Sequence, residues 1–223
     1  MQRRPEKEVM DDAANALAYA RADFEQPHQQ FIDLLLQRLG PCAPCQVLDL
    51  GCGPADISLR LAHCFPHCQI SAIDASRPML DLARQAVNAA GLTARIHLHH
   101  HYLAVDTPWQ QGDYALIVSN SLLHHLGDPQ ALWQTLGHHH ARGADIFVMD
   151  LLRPPSEAIA HSLVEQYAAD EPWVLQDDFY NSLLAAYSLK EVQAQLQTAV
   201  LALTVEQVSD RHLIVYGRGH SSQ

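Results

Sequence analysis

Asp49, Gly51, Cys52 and Gly53 lie within one short stretch, Val47 to Ala62 (VLDLGCGPADISLRLA), whose order of residue types suits a nucleotide-like ligand. Val47, Leu48 and Leu50 make an apolar run too brief for a helix, and Ile57, Leu59 and Leu61 open another beyond the glycines. The pattern predicts strand, tight turn, helix. Glycines at alternate positions let the backbone approach a ligand without a Cβ in the way, and the next helix begins with free N–H groups. The stretch departs from the dinucleotide fingerprint, because Asp56 stands where G-x-G-x-x-G has its third glycine. A carboxylate there suits a neutral or cationic ligand better than a pyrophosphate. Asp74 ends the next predicted strand, Gln69 to Ala75, at about the spacing (~20 residues) where an acidic residue meets a ribose hydroxyl in nucleotide-binding units. Cys42-x-x-Cys45 and His63-Cys64-x-x-His67-Cys68 have ligand-like spacing, but they fall at the amino ends of the first two strands, away from the glycine turn, and lack the paired C-x-x-C form. No metal is expected. The HLHHH run and His138 to His140 read as exposed.

The elements that position these residues alternate. Residues Val9 to Gly40 read as two helices ahead of the first strand, the second starting near Pro27 with an apolar face of Phe31, Ile32, Leu35 and Leu39. Ser76-Arg77-Pro78 opens a helix, Arg95 to Tyr102 is a third strand, and Asp113 to Asn120 is a near-continuous apolar strand carried on into LLHHL, Leu122 to Leu126. A fifth strand, Ala144 to Leu151, ends beside Asp150. Ser156 to Tyr187 reads as one long helical segment, and Ser188-Leu189-Lys190-Glu191 as a capping box. Two closing strands, Leu201 to Val208 and His212 to Gly217, are joined by so short a link that they must be antiparallel. The expected architecture is α/β, a Rossmann-like seven-stranded mixed sheet with a reversed last strand and helices on both faces. The parts are an N-terminal helical lid (1–40), a ligand-binding core (41–155), a helical insertion forming part of a substrate pocket (156–187), and the completion of the sheet (188–223).

With 14 Lys and Arg against 25 Asp and Glu, the formal charge of -11 has the wrong sign for gripping a phosphate backbone. Nucleic acid and acidic membranes are therefore not expected as partners. There is neither an apolar run of transmembrane length nor a signal-peptide core, and the five cysteines are an odd number in a chain too large to need disulfides. A cytoplasmic protein with reduced thiols is expected.

In this order, VLDLGCGPA, IDAS and DYALIVSNSLLHHLGDP resemble the motifs of class I S-adenosylmethionine-dependent methyltransferases of the small-molecule type, which includes quinone-biosynthesis enzymes. The resemblance spans about Gln46 to Gly217. It implies S-adenosyl-L-methionine as cofactor, S-adenosyl-L-homocysteine as product and a small-molecule acceptor. Asp49, Gly51, Cys52 and Gly53 would line the methionine part, Asp74 would take both ribose hydroxyls, and Ala75 and Met79 would lie near the adenine. Asn120, Ser121 and Leu122 would sit under the sulfonium, and the family's adenine-reading position falls around His101 to Leu103. His124, His125 and Tyr19 are the candidate catalytic residues, and His28, Asp150, Arg153, Tyr180 and Arg211 the candidate substrate holders. Two other readings remain: a non-catalytic S-adenosylmethionine-binding protein, and a cofactor-modifying enzyme such as a carboxy-S-adenosylmethionine synthase, which needs an arginine-lined anion site. Oligomeric state stays open, a homodimer included. Removing the first ~25 residues is expected to weaken turnover more than cofactor binding.

Overall fold

The computed structural model describes the chain apart from residues 7, 8, 10, 11, 41–45, 141 and 220–223. Cys42 and Cys45 thus lie outside the described residues, while Cys64 is exposed and Cys68 buried. Seven strands form one sheet: β1 Gln46–Leu50, β2 Gln69–Asp74, β3 Ile96–His100, β4 Leu116–Asn120, β5 Asp145–Leu151, β6 Thr204–Gln207 and β7 His212–Gly217. Their order is β3-β2-β1-β4-β5-β7-β6, and β7 runs antiparallel to both neighbours. The order reverses between β1 and β4, which are parallel neighbours, so a crevice opens at their carboxyl ends. Both strands are almost wholly buried, which is why they read as continuous apolar runs.

Helices cover both faces. On one, α2 (Glu25–Leu39), α3 (Asp56–Cys64) and α4 (Arg77–Ala89) pack their apolar stripes on the sheet, with Phe31 of α2 edge-on to Phe147 of β5 at 5.0 Å. On the other, α5 (Gln130–His140) and α8 (Leu189–Thr198) enclose Trp133, whose Nε1 donates to Gln195 Oε1 at 2.9 Å. Starts of these helices are set locally. Ser76 Oγ accepts from Met79 N to begin α4, and Ser188 with Glu191 forms the capping box expected for α8. Helix α1 (Ala13–Arg21), with Asp12 as its cap, packs against α4 and α7, while α6 (Glu157–Tyr167) and α7 (Trp173–Ala185) form a third cluster that reaches Leu151 at the end of β5.

Three local expectations change. The fourth strand does not continue into LLHHL: Ser121 adopts a left-handed φ of 55°, and Leu123–His125 becomes a 3-10 turn whose Leu123 N donates to Asp150 Oδ2. The 156–187 segment is two helices, interrupted ahead of Pro172. His139 is not exposed but buried at the end of α5, with Nε2 on Trp109 O at 3.1 Å.

Candidate active site

Two cavities meet at the carboxyl ends of β1 and β4. The first is a cleft lined by Gly51, Gly53, Asp74, Ala75, Met79 and Leu122, with His101, Tyr102 and Leu103 at one end. Gly51 N and Cys52 N both donate to Ile73 O, which folds the turn back on β2. Asp74 Oδ2 accepts from Gly53 N at 2.8 Å and Oδ1 from Ser76 N at 2.7 Å, so each oxygen is oriented and keeps lone-pair capacity for a ligand. Burial raises the Asp74 carboxyl. Gly51 (φ +74°) passes so close to Leu122 that an added Cβ would lie 2.9 Å from that side chain, whereas at Gly53 (φ +51°) an added Cβ would meet nothing within 4 Å. The second glycine thus keeps open space free in the cleft wall. Among the described residues no Lys or Arg lines this cleft. An oriented carboxylate without cationic partners fits a ribose diol and does not fit a pyrophosphate.

Beneath the turn, Asp49 is buried and accepts from Ser58 Oγ. Burial pushes its carboxyl up to about 7, against the Ser58 bond and with help from Asp74. Burial and Asp49 also push the Cys52 thiol up, so Cys52 is no thiolate nucleophile. A raised carboxyl pKa means that the native state keeps a proton which the unfolded chain loses near pH 4, so stability is full below that and declines as pH rises toward 7. A shift of three units would correspond to roughly 4 kcal/mol at most. We therefore expect wild-type thermal stability to fall relative to Asp49→Asn between pH 4.5 and 7.5. Differential scanning fluorimetry of the two would show this, and parallel pH profiles would contradict it.

The second cavity lies under α1, α2 and α7 and shares Tyr19, Asn120, Ser121 and His125 with the first. His28, His124, Asp178, Phe179 and Arg211 also line it. Burial pushes the Tyr19 hydroxyl well above its ordinary value, as do Asp178 and Asp74. His28 Nδ1 pairs with Asp56 Oδ2 at 2.6 Å, and Arg60 bridges the same carboxylate to Glu25, tying α2 to the first turn of α3. The Asp56 carboxyl, raised by burial, ends below its ordinary value through His28 and Arg60.

A strap formed by the N-terminus crosses the 3-10 turn. Arg3 donates to His124 O and Leu126 O and lies over the Tyr187 ring, which brings Glu6 against both histidines. Glu6 Oε1 stands 3.1 Å from His125 Nδ1 and 3.6 Å from His124 Nε2, and Ser182 Oγ donates to it. His124 Nδ1 is fixed by Asp150 Oδ1 at 2.6 Å. Burial alone would lower the His124 pKa, but Asp150 and Glu6 raise it. Asp178 is raised by burial and by Glu6, and accepts no hydrogen bond among the described residues.

Residues 47–143 match a family model described as a methyltransferase domain. The matched segment runs from β1 to the end of α5 and includes the crevice at the carboxyl ends of β1 and β4. Among curated relatives, the trans-aconitate 2-methyltransferase of Mycobacterium sp. (strain KMS) is 31% identical over 145 residues, 64% of this chain and 51% of that protein. The malonyl-[acyl-carrier protein] O-methyltransferase of Bacillus cytotoxicus is 30% identical over 113 residues, 51% of this chain and 38% of that protein. The chain thus spans about half or less of the length of these relatives. A SAM-dependent methyltransferase from Aquifex aeolicus has the same fold, with a TM-score of 0.66 at 18% identity over 94% of this chain and 99% of that one. The plantazolicin methyltransferase BamL, solved with a desmethyl analogue and SAH, gives 0.68 at 13% identity over 91% of each chain.

Of the residues singled out in the sequence, those on the β1, β2 and β4 ends converge on the two cavities, with Asp49 and Cys52 lining a smaller hollow beside Gly53 and Tyr19. Three substrate candidates do not reach the cavities. Arg153 Nη2 donates to both Glu191 oxygens at 2.7 and 2.8 Å, Tyr180 stacks on His161 and donates to Glu157, and Asp150 spends its oxygens on Leu123 N, Leu151 N and His124. Glu6 and Asp178 join the site without any sequence motif. No local pattern marks either, since each reaches the site only through helix packing and the strap.

Proposed function

We propose that this protein is an S-adenosylmethionine-dependent methyltransferase acting on a small molecule held in the second cavity. The observation that carries the reading is the meeting of the cleft and the second cavity at Tyr19, Asn120, Ser121 and His125. Asp74 would hold the ribose diol, the Gly51–Gly53 turn the methionine part, and Met79, Tyr102 and Leu103 the adenine. When bound, the cofactor supplies an activated methyl on a sulfonium, which needs a nucleophile aligned with it. The chain's own work is alignment and proton removal. Tyr19, kept a phenol by burial, donates or packs and does not serve as base. His124, clamped between Asp150 and Glu6, positions the turn. Asp178 is the group best placed to take a proton, because its raised pKa brings a carboxylate nearer neutral pH.

The acidic lining of Asp23, Glu171 and Asp178 supports a neutral or cation-assisted acceptor. Withdrawal of Arg153 into its pair with Glu191 leaves Arg211 alone of the two candidate arginines for the anion site of a carboxy-S-adenosylmethionine synthase. Incubation with methyl-labelled donor and a small-molecule extract tests the proposal. Label in a low-mass product is expected, and its absence across extracts from several sources would favour a binding protein instead.

Among the described residues of 1–24, Tyr19, Ala22, Asp23 and Phe24 line the acceptor cavity and Glu6 stands against its histidines, whereas Val9 and Tyr19 line the cleft. Deleting them should lower kcat/KM by about a hundredfold while cofactor affinity falls by about tenfold or less, since ~1.4 kcal/mol separates each decade. Equal losses, read by kinetics and calorimetry, would count against a lid.

A further inference from the structure

His124 and His125 line the second cavity, and Glu6 meets them there from the strap, the ligand-type atoms of the three all lying within 4.8 Å of one another. We propose that these three residues bind a divalent transition-metal ion whose open positions face the cavity and take an anionic oxygen or thiolate of the methyl acceptor. The inference rests on the methyltransferase reading for the acceptor, but not for the ion.

Spacing is the first support. Bonds of about 2.0–2.1 Å place neighbouring ligand atoms roughly 2.9–3.4 Å apart in octahedral or tetrahedral geometry. Of the two contacts of Glu6 Oε1, 3.1 Å to His125 Nδ1 falls inside that range and 3.6 Å to His124 Nε2 lies 0.2 Å above it, a gap that a small side-chain rotation closes. The second support is the outer partner of His124. Its Nδ1 is held by Asp150, itself buried and fixed by two backbone N–H groups, so Nε2 can point only at the cluster. That carboxylate–histidine pairing is how metal-ligating imidazoles are oriented. Two histidines with one carboxylate and open positions suit zinc, iron(II), manganese or cobalt.

Charge is the third. Among the described residues Arg211 is the one arginine lining the cavity, and it lies 3.3 Å from the Tyr167 ring centroid and is paired with Asp210, while Asp178 accepts no hydrogen bond. An anionic acceptor would be repelled here unless a cation stood at the cluster.

The test uses the full chain, stripped with EDTA, and Co(II) and Mn(II) as probes. One equivalent should bind, Co(II) giving visible bands of histidine–carboxylate ligation and Mn(II) a broadened paramagnetic resonance signal. Glu6→Gln and His125→Ala should each weaken affinity at least tenfold, while Cys64→Ser and His138→Ala leave it unchanged. Binding that survives Glu6→Gln and His125→Ala together but falls with Cys64→Ser would overturn the proposal by placing the ion at the cysteine cluster, as would no stoichiometric binding. Circular dichroism checks that the variants fold. S-adenosylmethionine affinity measured in parallel separates the two readings: metal without cofactor binding sinks the methyltransferase alone, cofactor without metal sinks the ion alone.

Discussion

Asp74→Ala should reduce S-adenosylmethionine affinity by about two to three orders of magnitude, the sum of two charged hydrogen bonds at ~1.5–3 kcal/mol each less some replacement by water. The expectation follows from the carboxylate's surroundings. Its two oxygens are aimed by Gly53 N and Ser76 N, and among the described residues no second carboxylate lines the cleft to accept from the diol in its place. Asp74→Asn keeps one acceptor oxygen and should lose about tenfold, one charged bond's worth by the same scale. Isothermal calorimetry measures both, with circular dichroism to show that the turn's loss of its anchor has not unfolded the domain. Equal affinities in wild type and Asp74→Ala would remove the ribose assignment.

The two turn glycines should respond oppositely to alanine. At Gly51 the new methyl meets the Leu122 side chain at 2.9–3.1 Å, its Cβ included, and φ is +74°. Overpacking and left-handed strain together should cost about 2–4 kcal/mol, which for a domain of this size lowers Tm by roughly 5–15 °C. At Gly53 nothing lies within 4 Å, so Gly53→Ala should cost only about 1–2 kcal/mol of backbone strain, yet place a methyl where the ligand must pass. Cofactor affinity should then fall by at least tenfold, more than its Tm loss would suggest. Thermal melts paired with calorimetry separate the cases. A Gly53→Ala protein that binds normally would show that the open space beside this residue is not part of the cofactor site.

Much of this site is legible because it is built from strand ends. Asp49 to Gly53, Asp74 and Asn120 to Leu122 each follow a buried apolar run, and parallel strands bring their carboxyl ends together without further information. The last strand's reversal is equally local, since Ser209-Asp210-Arg211 leaves no length for a crossover. Legibility stops where a side chain's partner is distant in sequence. Arg153 looks like an anion holder until Glu191, already committed to capping α8, proves to hold its guanidinium. Glu6 joins His124 and His125 only because Arg3 pins the strap to their backbone. The strand misread into LLHHL turns on Ser121, a left-handed residue with no glycine to announce it, and such strain collects at binding sites. A run of three histidines likewise hides which one faces inward, and that one is His139.

The central claim is that the β1–β4 crevice holds a sulfonium nucleoside. Calorimetric titration of the full chain with S-adenosylmethionine, repeated in competition with S-adenosylhomocysteine, tests it most directly. Saturable one-site binding in the micromolar range, displaced by S-adenosylhomocysteine, is expected. A flat titration at millimolar ligand with folded protein would contradict it.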